Sequence, residues 1–107
     1  MKYKISEEFT KTPGGRYRSD GKFSGQEFKE DVLENLLKIA LVSKEKIVID
    51  LDDTYGYPSS FLEEAFGGLA RDKGINIVKK TFEFKSDDEP LQIERILGYI
   101  DNATKQN

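Results

Sequence analysis

The 107-residue chain has no cysteine, no histidine and no tryptophan, one methionine and three prolines. Lack of cysteine excludes a thiol nucleophile, a disulfide and a zinc–thiolate centre. Lack of histidine excludes a Ser-His-Asp relay and an imidazole proton shuttle. Any catalysis has to come from carboxylates, hydroxyls, Lys/Arg or a hard metal held by carboxylates. No apolar run approaches the ~20 residues a membrane-spanning helix needs, so no membrane partner is expected. The opening residues, Met1-Lys2-Tyr3-Lys4-Ile5-Ser6-Glu7-Glu8, lack the apolar core of a signal peptide, and the expected location is the cytoplasm.

What the chain does have is charge. Charged residues (35%) nearly equal hydrophobic ones (36%), and mean hydropathy is −0.63. The apolar residues nevertheless recur periodically, as in one small globular domain, expected over residues 1–103 with a frayed polar tail over 104–107. Residues 1–22 carry six Lys/Arg and three acids, a net of +3, so the other 85 residues carry −6. Such asymmetry suits an anionic partner surface or a phosphate, or is ordinary solvated surface. The pI of about 5.1 argues against a nucleic-acid partner.

Tyr3-Lys4-Ile5 alternates and reads as a first strand. Thr12-Pro13-Gly14-Gly15 and Ser19-Asp20-Gly21 are turn formers, with Arg16-Tyr17-Arg18 between them as a short edge strand. Ser24 with Glu27 predicts a capped helix start, followed by Phe28, Val32, Leu36 and Ile39/Ala40 at helical spacing, with Leu33 and Leu37 widening the face, to near Ser43-Lys44. The β-branched run Ile47-Val48-Ile49-Asp50-Leu51 predicts a strand buried on both faces. Asp52 to Tyr57 is a loop. Pro58-Ser59-Ser60 opens a second helix whose apolar stripe includes Phe61, Leu62, Ala65, Phe66 and Leu69, with Gly67-Gly68 for close packing and Gly74 as its stop. Ile75, Ile77 and Val78 predict another strand, continued or followed by Phe82-Glu83-Phe84, and Glu89-Pro90 opens a last helix. This order predicts an α/β fold with a small sheet of about four strands and helices packed on it. Functional groups should gather at the carboxyl ends of the strands, the edge where Asp52 to Ser60 lies.

The segment Thr54-Tyr55-Gly56-Tyr57-Pro58-Ser59-Ser60-Phe61-Leu62-Glu63-Glu64-Ala65-Phe66-Gly67-Gly68, with Thr12-Pro13-Gly14-Gly15-Arg16-Tyr17, Asp20-Gly21 and Phe23-Ser24-Gly25, resembles a prokaryotic STAS-like family of unknown function over nearly the whole chain. It is more distantly similar to the STAS domains of anti-sigma factor antagonists. The resemblance implies a STAS-like sheet and a non-enzymatic regulatory interaction module without cofactor. The implied partner is a histidine-kinase-like ATPase or an anti-sigma-type protein. In the antagonists the helix-start serine is phosphorylated; by position Ser59 matches it, with Ser60 as second candidate. Pro58 stands where the antagonists have Asp, and Phe61 where they have Gly.

From the residues alone, a helix start presents free amides and the positive end of the dipole, which favour a phosphate. The alternative role is structural: Ser60 and Glu63 match a capping box, leaving Ser59 as the freer hydroxyl. Asp53, Tyr55, Tyr57, Arg16 and Arg18 are the candidate partner-binding residues. Tyr55 and Tyr57 have the chemistry of interface anchors, or close the edge of the core. The glycine-rich loop with Arg16 and Arg18 suits an anion, but lacks the Lys-Ser/Thr ending of a P-loop.

An enzyme reading uses the same strand end. Asp50-Leu51-Asp52-Asp53-Thr54 fits the Asp-x-Asp-x-Thr opening that resembles haloacid-dehalogenase-like phosphatases. Asp50 would be the nucleophile, Asp52 the acid/base, Mg²⁺ the bridge to phosphate, Lys79 or Lys80 the phosphate-holding lysine and Asp87-Asp88 further metal ligands. Only 53 residues follow Thr54, which leaves little room for the further strand–helix units of that superfamily.

Overall fold

The computed structural model describes residues 1–104. The elements are β1 (Lys2–Lys4), α1 (Ile5–Glu8), α2 (25–43), β2 (Ile47–Asp50), α3 (59–73), α4 (Ile75–Thr81), β3 (Phe82–Lys85) and α5 (Leu91–Asp101). All three strands are parallel, in the order β1-β2-β3. The fold is therefore α/β with helices on a small sheet, with three strands where about four were expected. Of the tail expected over 104–107, Thr104 is exposed coil and the rest lies outside the described residues.

The sheet has one covered face. Tyr3, Ile49 and Phe84 share a register row, and Tyr3 and Ile49 are buried with Ile47 beneath the helices. The alternate rows, Lys2–Val48–Glu83 and Lys4–Asp50–Lys85, face the other way. Val48 is only half-buried, so β2 is not apolar on both faces as its β-branched run suggested. Asp50 is nevertheless buried, with the ammonium groups of Lys2 and Lys85 at 3.3 and 3.8 Å from its carboxylate.

The start of α2 follows its sequence. The Ser24 hydroxyl accepts the Glu27 amide at 3.0 Å, and the Glu27 carboxylate reaches back to the Phe23 amide at 3.2 Å. Further along, α2 widens into a π-turn over Phe28–Leu33, with the Glu34 amide bonded to the Lys29 carbonyl five residues back. With that extra residue the buried face is Phe28, Leu33, Leu36, Leu37 and Ala40, all of them on the expected stripe. Val32 is left half-buried, and Ile39, expected on the apolar face, is 48% exposed. A second π-turn, Glu63–Gly67, lies in α3, where the expected stripe of Phe61, Leu62, Ala65, Phe66 and Leu69 is buried throughout.

Two predicted strands are absent. Arg16-Tyr17-Arg18 is a loop leading into a 3₁₀ turn at Arg18–Asp20. The Gly15 and Arg16 carbonyls accept the Gly25 and Gln26 amides, both at 2.9 Å, so they complete the start of α2 instead of a sheet ladder. Ile75-Asn76-Ile77-Val78 is helical: Gly74, at φ +110°, turns the chain out of α3 directly into α4. The remaining elements meet in an aromatic core, with Phe28 centred 4.9 Å from Phe9 and 5.7 Å from Phe61, and Phe66 5.2 Å from Phe84.

Candidate functional site

Parallel strands bring their carboxyl ends, and the residues that follow, to one edge. Lys4 ends β1, Asp50 ends β2 and Lys85 ends β3 in one register row, with Asp52, Asp53, Asp87 and Asp88 just beyond. The centre of this edge is Asp52. Its buried carboxylate accepts the Asp87 amide at 2.9 and 3.1 Å, the Asp88 amide at 2.9 Å and the Lys85 ammonium at 2.9 Å. Burial works to raise the Asp52 pKa, but these donors prevail and hold it down at about 2. Lys85 also lies 2.9 Å from Asp87, so one ammonium sits among three carboxylates and is held well above its ordinary pKa by its bonds to Asp52 and Asp87.

This bears on the Asp-x-Asp motif. The Asp50 carboxylate accepts the Asp52 amide at 3.0 Å and pairs with Lys2, while Asp52 ties down the chain after β3. Both acids are engaged in holding strand ends. Lys79 and Lys80 lie on α4, which feeds the amino end of β3, the edge opposite Asp50; Lys79 is bonded to Asp101 at 2.8 Å. Among the described residues no group of three or more acids has the arrangement of a metal-ligand set.

The 51–60 loop is braced. Asp53 adopts φ +70°, gives its amide to Asp88 Oδ2 at 3.0 Å and pairs through its carboxylate with Lys4 at 2.5 Å. The Tyr55 amide bonds to the Lys11 carbonyl at 2.9 Å, while its side chain is 85% exposed. Tyr57 has the other fate foreseen for it: its ring lies 6.0 Å from Phe61 and its hydroxyl donates to the Leu51 carbonyl at 2.8 Å. Burial raises its pKa well above the ordinary tyrosine range.

Both candidate serines lie in the first turn of α3. Ser59 is exposed and Ser60 half-buried. The expected Ser60–Glu63 capping box does not form. Pro58 occupies the cap position, its carbonyl taking the Phe61 and Leu62 amides at 3.0 and 3.3 Å, and no side chain caps the helix. Ser60 is thus already helical, and Glu63 lies too far along to reach back. Instead the Glu63 carboxylate accepts Arg71 and Arg16, each at 2.5 Å, which hold its pKa below the ordinary range.

Arg16 and Arg18 are brought to intramolecular acids rather than to Ser59. Arg16 binds Glu63 on α3, and Arg18 binds Glu30 and Asp31 on α2 at 3.2 and 2.9 Å. The glycine loop works as a clamp. A Cβ on Gly14 would lie 2.4 Å from the Lys22 carbonyl oxygen, and one on Gly25 2.5 Å from that of Phe61. The Phe23-Ser24-Gly25 and Ser60-Phe61 motifs are therefore two sides of one contact between helix starts.

Sequence reasoning missed Lys85 as the cation of the strand-end cluster, and Glu64, a buried acid 3.6–3.8 Å from Arg16, Lys29 and Arg71. A lysine directly after a predicted strand, in a chain with acids at the neighbouring strand end, is the signal that identifies the first. Beside Asp88 the loop and the start of α5 enclose a cleft of about 170 Å³.

A family model described as a STAS-like domain of unknown function (DUF4325) matches residues 24–92. The match begins at the Ser24 cap and takes in β2, the loop, both serines, α3, α4 and β3; the Thr12–Tyr17 and Asp20-Gly21 blocks lie outside it. No curated protein and no solved structure matches the chain.

Proposed function

The chain belongs to this STAS-like family, and from that premise we propose that it is a non-enzymatic regulatory module that docks a protein partner through the Asp53–Ser60 loop and the start of α3. In this reading Ser59 is the phosphorylated residue, with Ser60 as the second candidate. The partner is a histidine-kinase-like ATPase or an anti-sigma-type protein in the cytoplasm. The observation that carries the reading is Ser59, exposed in the first turn of α3, which no side chain caps among the described residues, directly after the braced 51–58 loop. A phosphate there adds about −1.5 to −2 charges where helix amides and the dipole favour them. It also adds to an edge already rich in acids, so the modified and unmodified faces suit different partner surfaces.

Phosphosite mapping of the protein from its native cells, and transfer from ATP by an ATPase encoded beside it, test this. Phosphate at residue 59 or 60 is expected, lost from the Ser59→Ala, Ser60→Ala double variant. Absence of phosphate at both under every growth condition removes the switch. Mg²⁺-dependent phosphatase activity abolished by Asp50→Asn would replace the module with an enzyme.

A further inference from the structure

The cleft beside Asp88 lies between the 51–57 loop and the 86–92 turn, and Leu51, Tyr55 and Tyr57 are among the residues that line it. Its volume of about 170 Å³ is well below the roughly 300–1,000 Å³ of pockets for cofactors and drug-sized ligands, and suits a single side chain. Its other polar lining residues are Thr54, Ser86, Asp88, Glu89 and Gln92, and among the described residues no lysine or arginine lines it. Several of these groups are already engaged. Ser86 Oγ donates to the Glu89 carbonyl at 2.7 Å, and the Glu89 carboxylate takes Gln92 at 3.1 Å and Arg95 at 3.2 Å. Asp88, a lining residue, uses Oδ2 for the Asp53 amide, which leaves Oδ1 as an acceptor. Tyr55, another of the lining residues, is 85% exposed.

We propose that this cleft receives an arginine side chain of the protein partner, its guanidinium stacked on Tyr55 and bonded to Asp88. The fit is one of charge and shape. Its lining includes two acids, Asp88 and Glu89, and two tyrosines, Tyr55 and Tyr57. A guanidinium presents a flat face to the ring and N–H groups to the carboxylate together, which a lysine ammonium does not. Asp88 is anchored through its other oxygen to the Asp53 amide, so its free oxygen is pre-positioned. The proposal rests on the loop being the docking face and names the chemistry that face recognises.

NMR titration of the whole chain with N-acetyl-arginine amide tests it, with the lysine amide and the uncharged citrulline amide in parallel. Saturable shifts are expected at the amides of residues 54–57 and 88–92 for the arginine probe. The lysine probe should bind about fivefold more weakly and the citrulline probe should give no saturation. Tyr55→Ala, at a position outside the core, should weaken arginine binding about fivefold with the spectrum otherwise unchanged. Asp88→Asn retains an acceptor for the Asp53 amide and should abolish saturation. Citrulline binding equal to arginine, or shifts spread over acids elsewhere such as Glu30 and Asp31, would overturn the proposal. Its failure with phosphate still found at Ser59 would sink the cleft and spare the switch; arginine binding without phosphate would do the reverse.

Discussion

Asp52→Asn tests whether one carboxylate organises the functional edge. The substitution keeps the shape of the side chain and removes its charge. One oxygen still accepts, but an NH₂ group now faces the Asp87 or Asp88 amide, and Lys85 loses the nearer of its buried acid partners. Depression of the pKa from 3.8 to about 2 corresponds, at about 1.36 kcal/mol per pH unit, to a ceiling of roughly 2 kcal/mol. Water at the sheet rim screens part of this, leaving an expected loss of about 1–2 kcal/mol at pH 7. The sign follows from linkage: a carboxylate with a depressed folded-state pKa stabilises fully above its unfolded value, and that stability is lost as pH falls through the folded value. The gap between wild type and variant should therefore hold from pH 7 to about pH 5, shrink to roughly half by pH 3 and close near pH 2, where a protonated carboxyl and an amide are nearly equivalent. Urea denaturation followed by circular dichroism across this range measures it. A variant within about 0.3 kcal/mol of wild type at pH 7, or a gap unchanged between pH 6 and pH 3, would refute the assignment of Asp52 as the organising group.

Two further substitutions probe the scaffold behind the site. Gly25→Ala drives a methyl group to 2.5 Å from the Phe61 carbonyl and must part α2 from α3; a loss of about 2–3 kcal/mol is expected by urea denaturation, with amide shifts carried to Ser59 and Ser60, and an unchanged midpoint would show that the contact yields freely. Ser24→Ala removes the acceptor of the Glu27 amide and should cost about 1 kcal/mol without altering shifts in the 51–60 loop.

Where local chemistry and tertiary structure agree, the chain was legible. The Ser24 cap, the β-branched strand at Ile47 and the stop at Gly74 each rest on one residue or one short run, and each stands where expected. Ile75 to Val78 was not legible. Its alternation looks like a strand, yet Gly74 reverses the chain at once into a helix only seven residues long, one that packing rather than propensity sustains. The π-turn in α2 was equally invisible, because a repeat of three and four residues carries no mark of an added one. At the site, the position of Ser59 at a helix start was readable from pattern. The fate of Ser60 was not, because Pro58 moved the cap two residues upstream. The tie of Arg16 to Glu63 joins residues 47 apart, and no local pattern connects such distant charges.

The widened stretches of α2 and α3 give both helices an uneven tolerance of length. Dropping a residue from an ordinary stretch swings everything downstream by about 100° about the axis and takes the apolar stripe out of the interior. Dropping one from 29–32 instead lets the ladder close to its usual pitch, with Phe28 and Leu33 then four apart and Leu36, Leu37 and Ala40 still facing inward. A gap that would wreck a neighbouring turn becomes a small repair, so shorter chains of the same architecture should carry their deletions at these two points.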